Sequence, residues 1–171
     1  MTKTGPAVAA LFLALSFLLL NVYRAAKQSI AIDEAYTYLS FVKLTLTEIL
    51  TRYDANHYVL HSLLCKVSTG LLDISELTLR LPSLAGGILY FFSMLWICRL
   101  LLGKGWASVL CLSILLLNPL VLDFFSAARG YSLGMGFLFL GVWALLLQLR
   151  EDKTQIRWRV SRSSAYRWVY R

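Results

Sequence analysis

Two neighbouring carboxylates, Asp33 and Glu34, follow the first apolar run of the chain, with Tyr36 and Thr37 just beyond them. Residues adjacent in sequence do not share a helix face, so the two acids are expected to do different work, with Tyr36 and Thr37 on the side of Asp33. A carboxylate in such a place can act as a general base toward a hydroxyl. It can equally sit solvated near a helix start, where the dipole favours acids. Asp54, His57, Tyr58 and His61 recur at i, i+3, i+4 and i+7. Two histidines at i, i+4 with an acid one turn earlier can hold a divalent metal. No glutamate follows His57 in the HExxH manner, so the expected role is hydrogen bonding to a polar ligand or to headgroups, and no metal or other cofactor is assigned. Further on, Arg129 stands beside Gly130 and Tyr131, just before a long charge-free run. A guanidinium at a helix N-terminus adds a fixed charge to a positive dipole end and suits an anion. The alternatives are snorkelling to headgroups or a pair with Asp123.

The elements that must position these residues are set by composition. Of 171 residues, 58% are hydrophobic and only 15% charged, with a mean hydropathy of +0.66. A disordered chain needs the opposite balance, and a soluble domain carries about 25% charged residues. The chain is therefore expected to be an all-α integral membrane bundle. Residues 4–23, 81–98, 105–122 and 130–149 are free of charge. Runs of about 18–20 residues at about 1.5 Å rise cover most of a ~30 Å hydrocarbon layer. Four spans are expected near 6–24, 80–102, 105–122 and 130–150, forming one region over residues 1–150. The first is too long for a signal-peptide core and reads as an uncleaved anchor.

Orientation follows from the basic residues. Arg99 and Lys104 lie between spans 2 and 3, and seven Lys/Arg against two acids lie in residues 150–171. Both stretches are expected in the cytoplasm, which places both termini there, with 151–171 as a basic cytoplasmic tail of a cell-membrane (plasma or inner membrane) protein. The segment 25–79 and the loop at 123–129 then face outside. No nucleic-acid-binding module is recognisable, so no nucleic-acid partner is expected. Cys65, Cys98 and Cys111 form no CxxC pair and read as small buried apolar residues. The outer segment carries helical periodicity. Leu60, Leu63, Leu64, Val67 and Leu71 form an apolar face opposite Asp54, His57 and His61, and Leu39, Val42, Leu46, Ile49 and Leu50 mark a further helix or pair. Thr45 with Glu48 fits a capping box, and Ser75 fits an N-cap for the helix entering the membrane. Amphipathic helices beside spans are expected at the outer membrane interface.

The ordered set of motifs carries a resemblance. A first span is followed by Asp33-Glu34-Ala35-Tyr36-Thr37, then by Asp54-Ala55-Asn56-His57-Tyr58. Next come Ser75-Glu76 and Leu79-Arg80-Leu81-Pro82-Ser83, and finally Ala128-Arg129-Gly130-Tyr131-Ser132. Over residues 7–149 this resembles the N-terminal part of the polytopic GT-C glycosyltransferases, the dolichyl-phosphate-mannose-protein mannosyltransferase and aminoarabinose-transferase-like superfamily. The resemblance implies inverting transfer of a sugar from a polyprenyl-phosphate donor to an acceptor on the non-cytoplasmic face. It makes Asp33 the general base and Arg129 the cation for the donor phosphate. Glu34, Tyr36, Asp54, His57 and Tyr131 become substrate-binding residues, and membrane lipid and a membrane-protein partner the expected company. A base and a phosphate-holding cation facing one cavity across a sugar would stand roughly 8–15 Å apart, each within hydrogen-bond reach of its own partner. Family members are several times longer, so the four spans are expected to be a truncated or short form, too short to be active alone. The alternative is a non-enzymatic small polytopic protein, an assembly partner or scaffold. Proton-coupled transport is disfavoured, since few ionisable residues fall in mid-span.

Overall fold

The computed structural model describes residues 4–54 and 57–169, with side chains up to Glu151. The chain is all-α. Helix α1 (Thr4–Lys27) leads to α2 (Ile32–Thr37), a π-helical turn (Tyr38–Val42), α3 (Leu46–Thr51) and α4 (Val59–Leu72). Helices α5 (Glu76–Leu102), α6 (Trp106–Leu116), α7 (Pro119–Ser126) and α8 (Tyr131–Val169) follow. Among the described residues, three helices are long and apolar enough to cross a membrane: α1, α5 and α8 over Tyr131–Glu151; the bent pair α6–α7 makes a fourth crossing if counted as one span. The protein is a small polytopic membrane bundle.

Helix α1 shows how the bundle is written in sequence. Its buried residues, Pro6, Ala10, Leu13, Phe17, Asn21 and Ala25, recur every three or four positions, the narrow stripe of a helix packed on one side. Val8, Leu11, Phe12, Leu15 and Leu19 point outward. An apolar outer face is stable only against lipid, so the pattern itself states the solvent. Helix α5 is central and packs on α1, α4, α6, α7 and most extensively α8. Phe17, Tyr90, Phe91, Leu112, Leu116 and Phe125 meet in the core between them. Gly86 lets α8 approach: a Cβ there would lie 2.6 Å from the Leu133 nitrogen. Small residues at helix crossings serve this purpose in membranes, where van der Waals contact replaces the hydrophobic drive.

The third expected span is not straight. Helices α6 and α7 meet at 62° around Leu117–Asn118. Pro119 keeps Asn118 out of the α region (ψ 124°), and the Asn118 side chain caps the new helix by accepting from Leu120 N–H at 3.0 Å. Helix α7 then runs to Ser126, so Asp123 lies in a helix and not in the loop expected at 123–129. Helix α8 continues to Val169 and does not stop at 150. The side chains of the basic tail lie outside the described residues.

The outer segment is helical, with its faces used in the opposite sense to a ligand-binding polar face. Thr45 and Glu48 form the expected capping box, with Thr45 N–H donating to Glu48 Oε2 at 2.9 Å. Ser75 caps α5, accepting from Thr78 N–H at 3.1 Å. In α4, however, Leu60, Leu64, Val67 and Leu71 face outward, while His61, Ser62 and Cys65 are buried. The cause lies in α5. Pro82 has no N–H, which leaves the Thr78 carbonyl without its helical donor. Ser68 Oγ donates to that carbonyl at 2.8 Å, and Cys65 Sγ to Leu79 O at 3.2 Å. The small polar side of α4 thus satisfies α5, and the leucine side is left to the membrane interface. Asp54 and His57 precede α4, so they share no helix face with His61.

Candidate functional site

Glu34 is fully buried, and so is Arg80 on the second turn of α5. Arg80 Nε donates to Glu34 Oε1 at 2.8 Å and Nη2 to Oε2 at 2.6 Å. The remaining guanidinium hydrogens reach the Ala25, Gln28 and Ser29 carbonyls at 2.7–3.1 Å, which satisfies carbonyls at the C-terminal end of α1. The Glu34 oxygens also accept from Ala31 N–H at 2.8 Å and from Ala128 N–H. Burial by itself would push this carboxyl up. The hydrogen bonds from Arg80, Ala128 and Ala31 and the Arg80 charge outweigh it and hold Glu34 below its ordinary value. Glu34 is therefore a paired ion that ties α1, α2, α5 and the turn before α8 together, with its oxygens already taken.

That clamp positions the next residues. With Glu34 holding Ala128 N–H, Asp33 and Arg129 are the neighbours on either side, and they meet: Arg129 Nη2 lies 2.9 Å from Asp33 Oδ2. The pair faces solvent, with side-chain exposures of 35% for Arg129 and 67% for Asp33. The two expected functional residues share one site despite their separation in sequence. Their distance differs from the 8–15 Å that a sugar between them requires. Coulomb attraction draws the carboxylate onto the guanidinium. Arg129 Nε is shielded and has no partner. The Arg129 carbonyl accepts from Ser83 Oγ at 3.2 Å, which fixes the turn to α5. Asp123, the alternative partner considered for Arg129, instead pairs with Arg24.

A cleft of about 530 Å³ opens here, with Lys27, Arg80, Glu34, Asp123 and Arg129 in its lining. Arg80 and Glu34 cancel, and Asp123 is occupied by Arg24. Lys27 has no ion-pair partner among the described residues. The cleft can therefore present Lys27 to an anion, and Arg129 as well where the anion displaces Asp33 from it.

Other expected residues gather elsewhere. Tyr36 donates its hydroxyl to Asp54 Oδ2 at 2.9 Å. The His57 ring stacks on Phe41 at 4.1 Å and 10°, its Nδ1 3.1 Å from Arg52 O, while its Nε2 is shielded and unpartnered. The π-helical turn delivers the Phe41 ring that supports this second cluster. Tyr131 packs edge-on against Tyr58 at 5.2 Å and tilted against Phe124. Burial, then the hydrogen bond to Tyr131, pushes the Tyr58 hydroxyl up to about 12. Tyr58 itself lies over Gly130, in space a Cβ would occupy. His61 is buried with Nε2 3.4 Å from Cys65 Sγ, and burial pushes its pKa down to about 4. Among the described residues, no group of three His, Cys, Asp or Glu side chains is placed to hold a metal ion. The three cysteines are free.

Sequence reasoning assigned no role to Arg80, the residue that organises the site. A signal was present: an arginine inside an apolar helix needs a buried counter-charge, and Glu34, which the resemblance makes a substrate-binding residue, is that counter-charge here. No protein-family model matches the chain, and no characterised protein or solved structure is found similar to it.

Proposed function

We propose that residues 7–149 form the donor-handling part of a GT-C-type membrane glycosyltransferase. In this reading a sugar passes from a polyprenyl-phosphate carrier to an acceptor hydroxyl at the end of the bundle where α2 and the α7–α8 turn meet, the non-cytoplasmic side. The acceptor oxygen bonds to the anomeric carbon, the bond from that carbon to the phosphate oxygen breaks, and Asp33 takes the acceptor proton. Arg129, with Lys27 beside it, offsets the charge that returns to the lipid phosphate. The observation that supports the reading is the meeting of Asp33 and Arg129 beside a cleft lined by Lys27 and Arg129. Donor phosphate competes with Asp33 for Arg129, so donor binding itself frees the base. The direct Asp33–Arg129 contact also favours a second reading, in which the pair is only a latch in a non-enzymatic scaffold.

Donor binding to membranes containing the chain, and transfer from a polyprenyl-phosphate sugar by the chain completed with the further spans of a full-length enzyme, separate the two. Asp33→Asn is expected to abolish transfer and spare donor binding. Undiminished transfer by that variant would overturn the base assignment, and wild-type membranes that bind no donor would leave the scaffold reading.

A further inference from the structure

At the opposite end of the bundle, a second cleft of about 600 Å³ lies between the start of α1, the end of α5 and the start of α6. Ala7 and Ala10 line it from α1, Leu95 from α5 and Leu112 from α6. Arg99, in the last turn of α5, and Lys104, in the turn that follows, complete the lining. No carboxylate is among the lining residues, and neither cation has an ion-pair partner among the described residues. Two cations at the edge of a low-dielectric layer repel each other more strongly than in water, and an anion between them relieves that repulsion. Apart from Ser108, the walls below are apolar and belong to α1, α5 and α6, helices apolar enough to lie in the hydrocarbon layer. A soluble anion satisfies the charges and leaves the walls bare. A lipid with a phosphate headgroup satisfies both.

We propose that this cleft is a binding site for an anionic phospholipid, its phosphate held between Arg99 and Lys104 and its glycerol and first acyl carbons against Ala7, Leu95 and Val109. The site is independent of the cleft at Arg129, which lies at the other end of α1 and α5. Arginine and lysine contribute differently to holding the phosphate. Arg99 forks two phosphate oxygens, and Lys104 adds a mobile point charge.

The test measures phosphatidylglycerol and phosphatidylcholine retained by the full chain in native mass spectrometry, with free glycerol phosphate as a third arm. Phosphatidylglycerol is expected to be retained preferentially. Combined Arg99→Gln and Lys104→Gln is expected to lower that retention about tenfold or more and to leave phosphatidylcholine unchanged. Ala7→Phe, which fills the cleft without altering charge, is expected to lower it as well, while Lys43→Gln at the other end does not. Equal retention of the two lipids, or a Lys43→Gln loss equal to that of the double variant, overturns the site. Glycerol phosphate bound as tightly as the lipid overturns the role of the apolar walls.

Discussion

Asp33 and Glu34 are adjacent and chemically alike, yet the fold gives them opposite fates. Glu34 sits with Arg80 at side-chain exposures of 1% and 2%, so Glu34→Gln leaves an uncompensated buried guanidinium. Loss of one partner in such a pair costs about 3–5 kcal/mol. Asp33→Asn breaks a half-exposed pair and costs roughly 0–1 kcal/mol. Thermal unfolding in detergent is expected to rank the two variants in that order, and equal losses would show that the buried pair does not hold the site. His61 adds a pH signature. Unfolded, it takes a proton near pH 6.5, and folded only near pH 4. Between these values the unfolded chain binds more protons, so stability falls as pH drops through this window. The loss reaches at most about 3 kcal/mol. Glu34 contributes stability that is present above its ordinary 4.5 and is lost as pH falls through its lowered folded value. His61→Gln is expected to flatten the melting-temperature profile between pH 6.5 and 4.5, and an unchanged profile would contradict the burial argument. Asp33 and Arg129 could be picked out in advance because acid–base and anion chemistry name their own residue types. The burial of Glu34 could not, since it depends on which helix delivers an arginine, a matter of tertiary packing.

Among the elements, the spans were readable from charge-free runs because lipid forbids unpaired charge along a lipid-facing helix. The break at Asn118-Pro119 carried a local signal, a capping residue before proline, that apolarity of the run masked. The faces of α4 were read by a rule made for water. With lipid outside, the leucines turn outward, and the polar face bonds to the α5 carbonyl that Pro82 leaves without a donor. Packing of α5 on α8 gives a sharper test. Gly86→Ala would set a Cβ 2.6 Å from the backbone at Ser132 and Leu133, whereas a Cβ at Gly134 meets nothing within 4 Å. The first change is expected to cost about 1–3 kcal/mol by forcing the helices apart. The second is expected to be neutral or slightly stabilising, since alanine favours helix by up to about 1 kcal/mol. Urea or heat unfolding of both variants checks the contrast, and a harmless Gly86→Ala would mean that the two helices are not in close contact.

For the whole molecule, α1, α5, the α6–α7 pair and α8 alternate in direction, which puts the Arg129 cleft and the Arg99 cleft at opposite ends. A cysteine introduced at Tyr53, which is 98% exposed, is expected to react with an impermeant maleimide only from the outer face. One at Lys104 should react only from the cytoplasmic face. Labelling of both from one side would remove the four-crossing arrangement. The central claim is that Arg129 holds a lipid phosphate for which Asp33 competes. Its most direct measurement is the affinity of polyprenyl phosphate for the full chain in nanodiscs. Arg129→Ala is expected to weaken binding about tenfold or more, the scale of one lost charge-assisted contact. Asp33→Asn is expected to hold or tighten it, because the competing carboxylate is gone. Binding insensitive to Arg129→Ala, or weakened equally by both substitutions, would contradict the account.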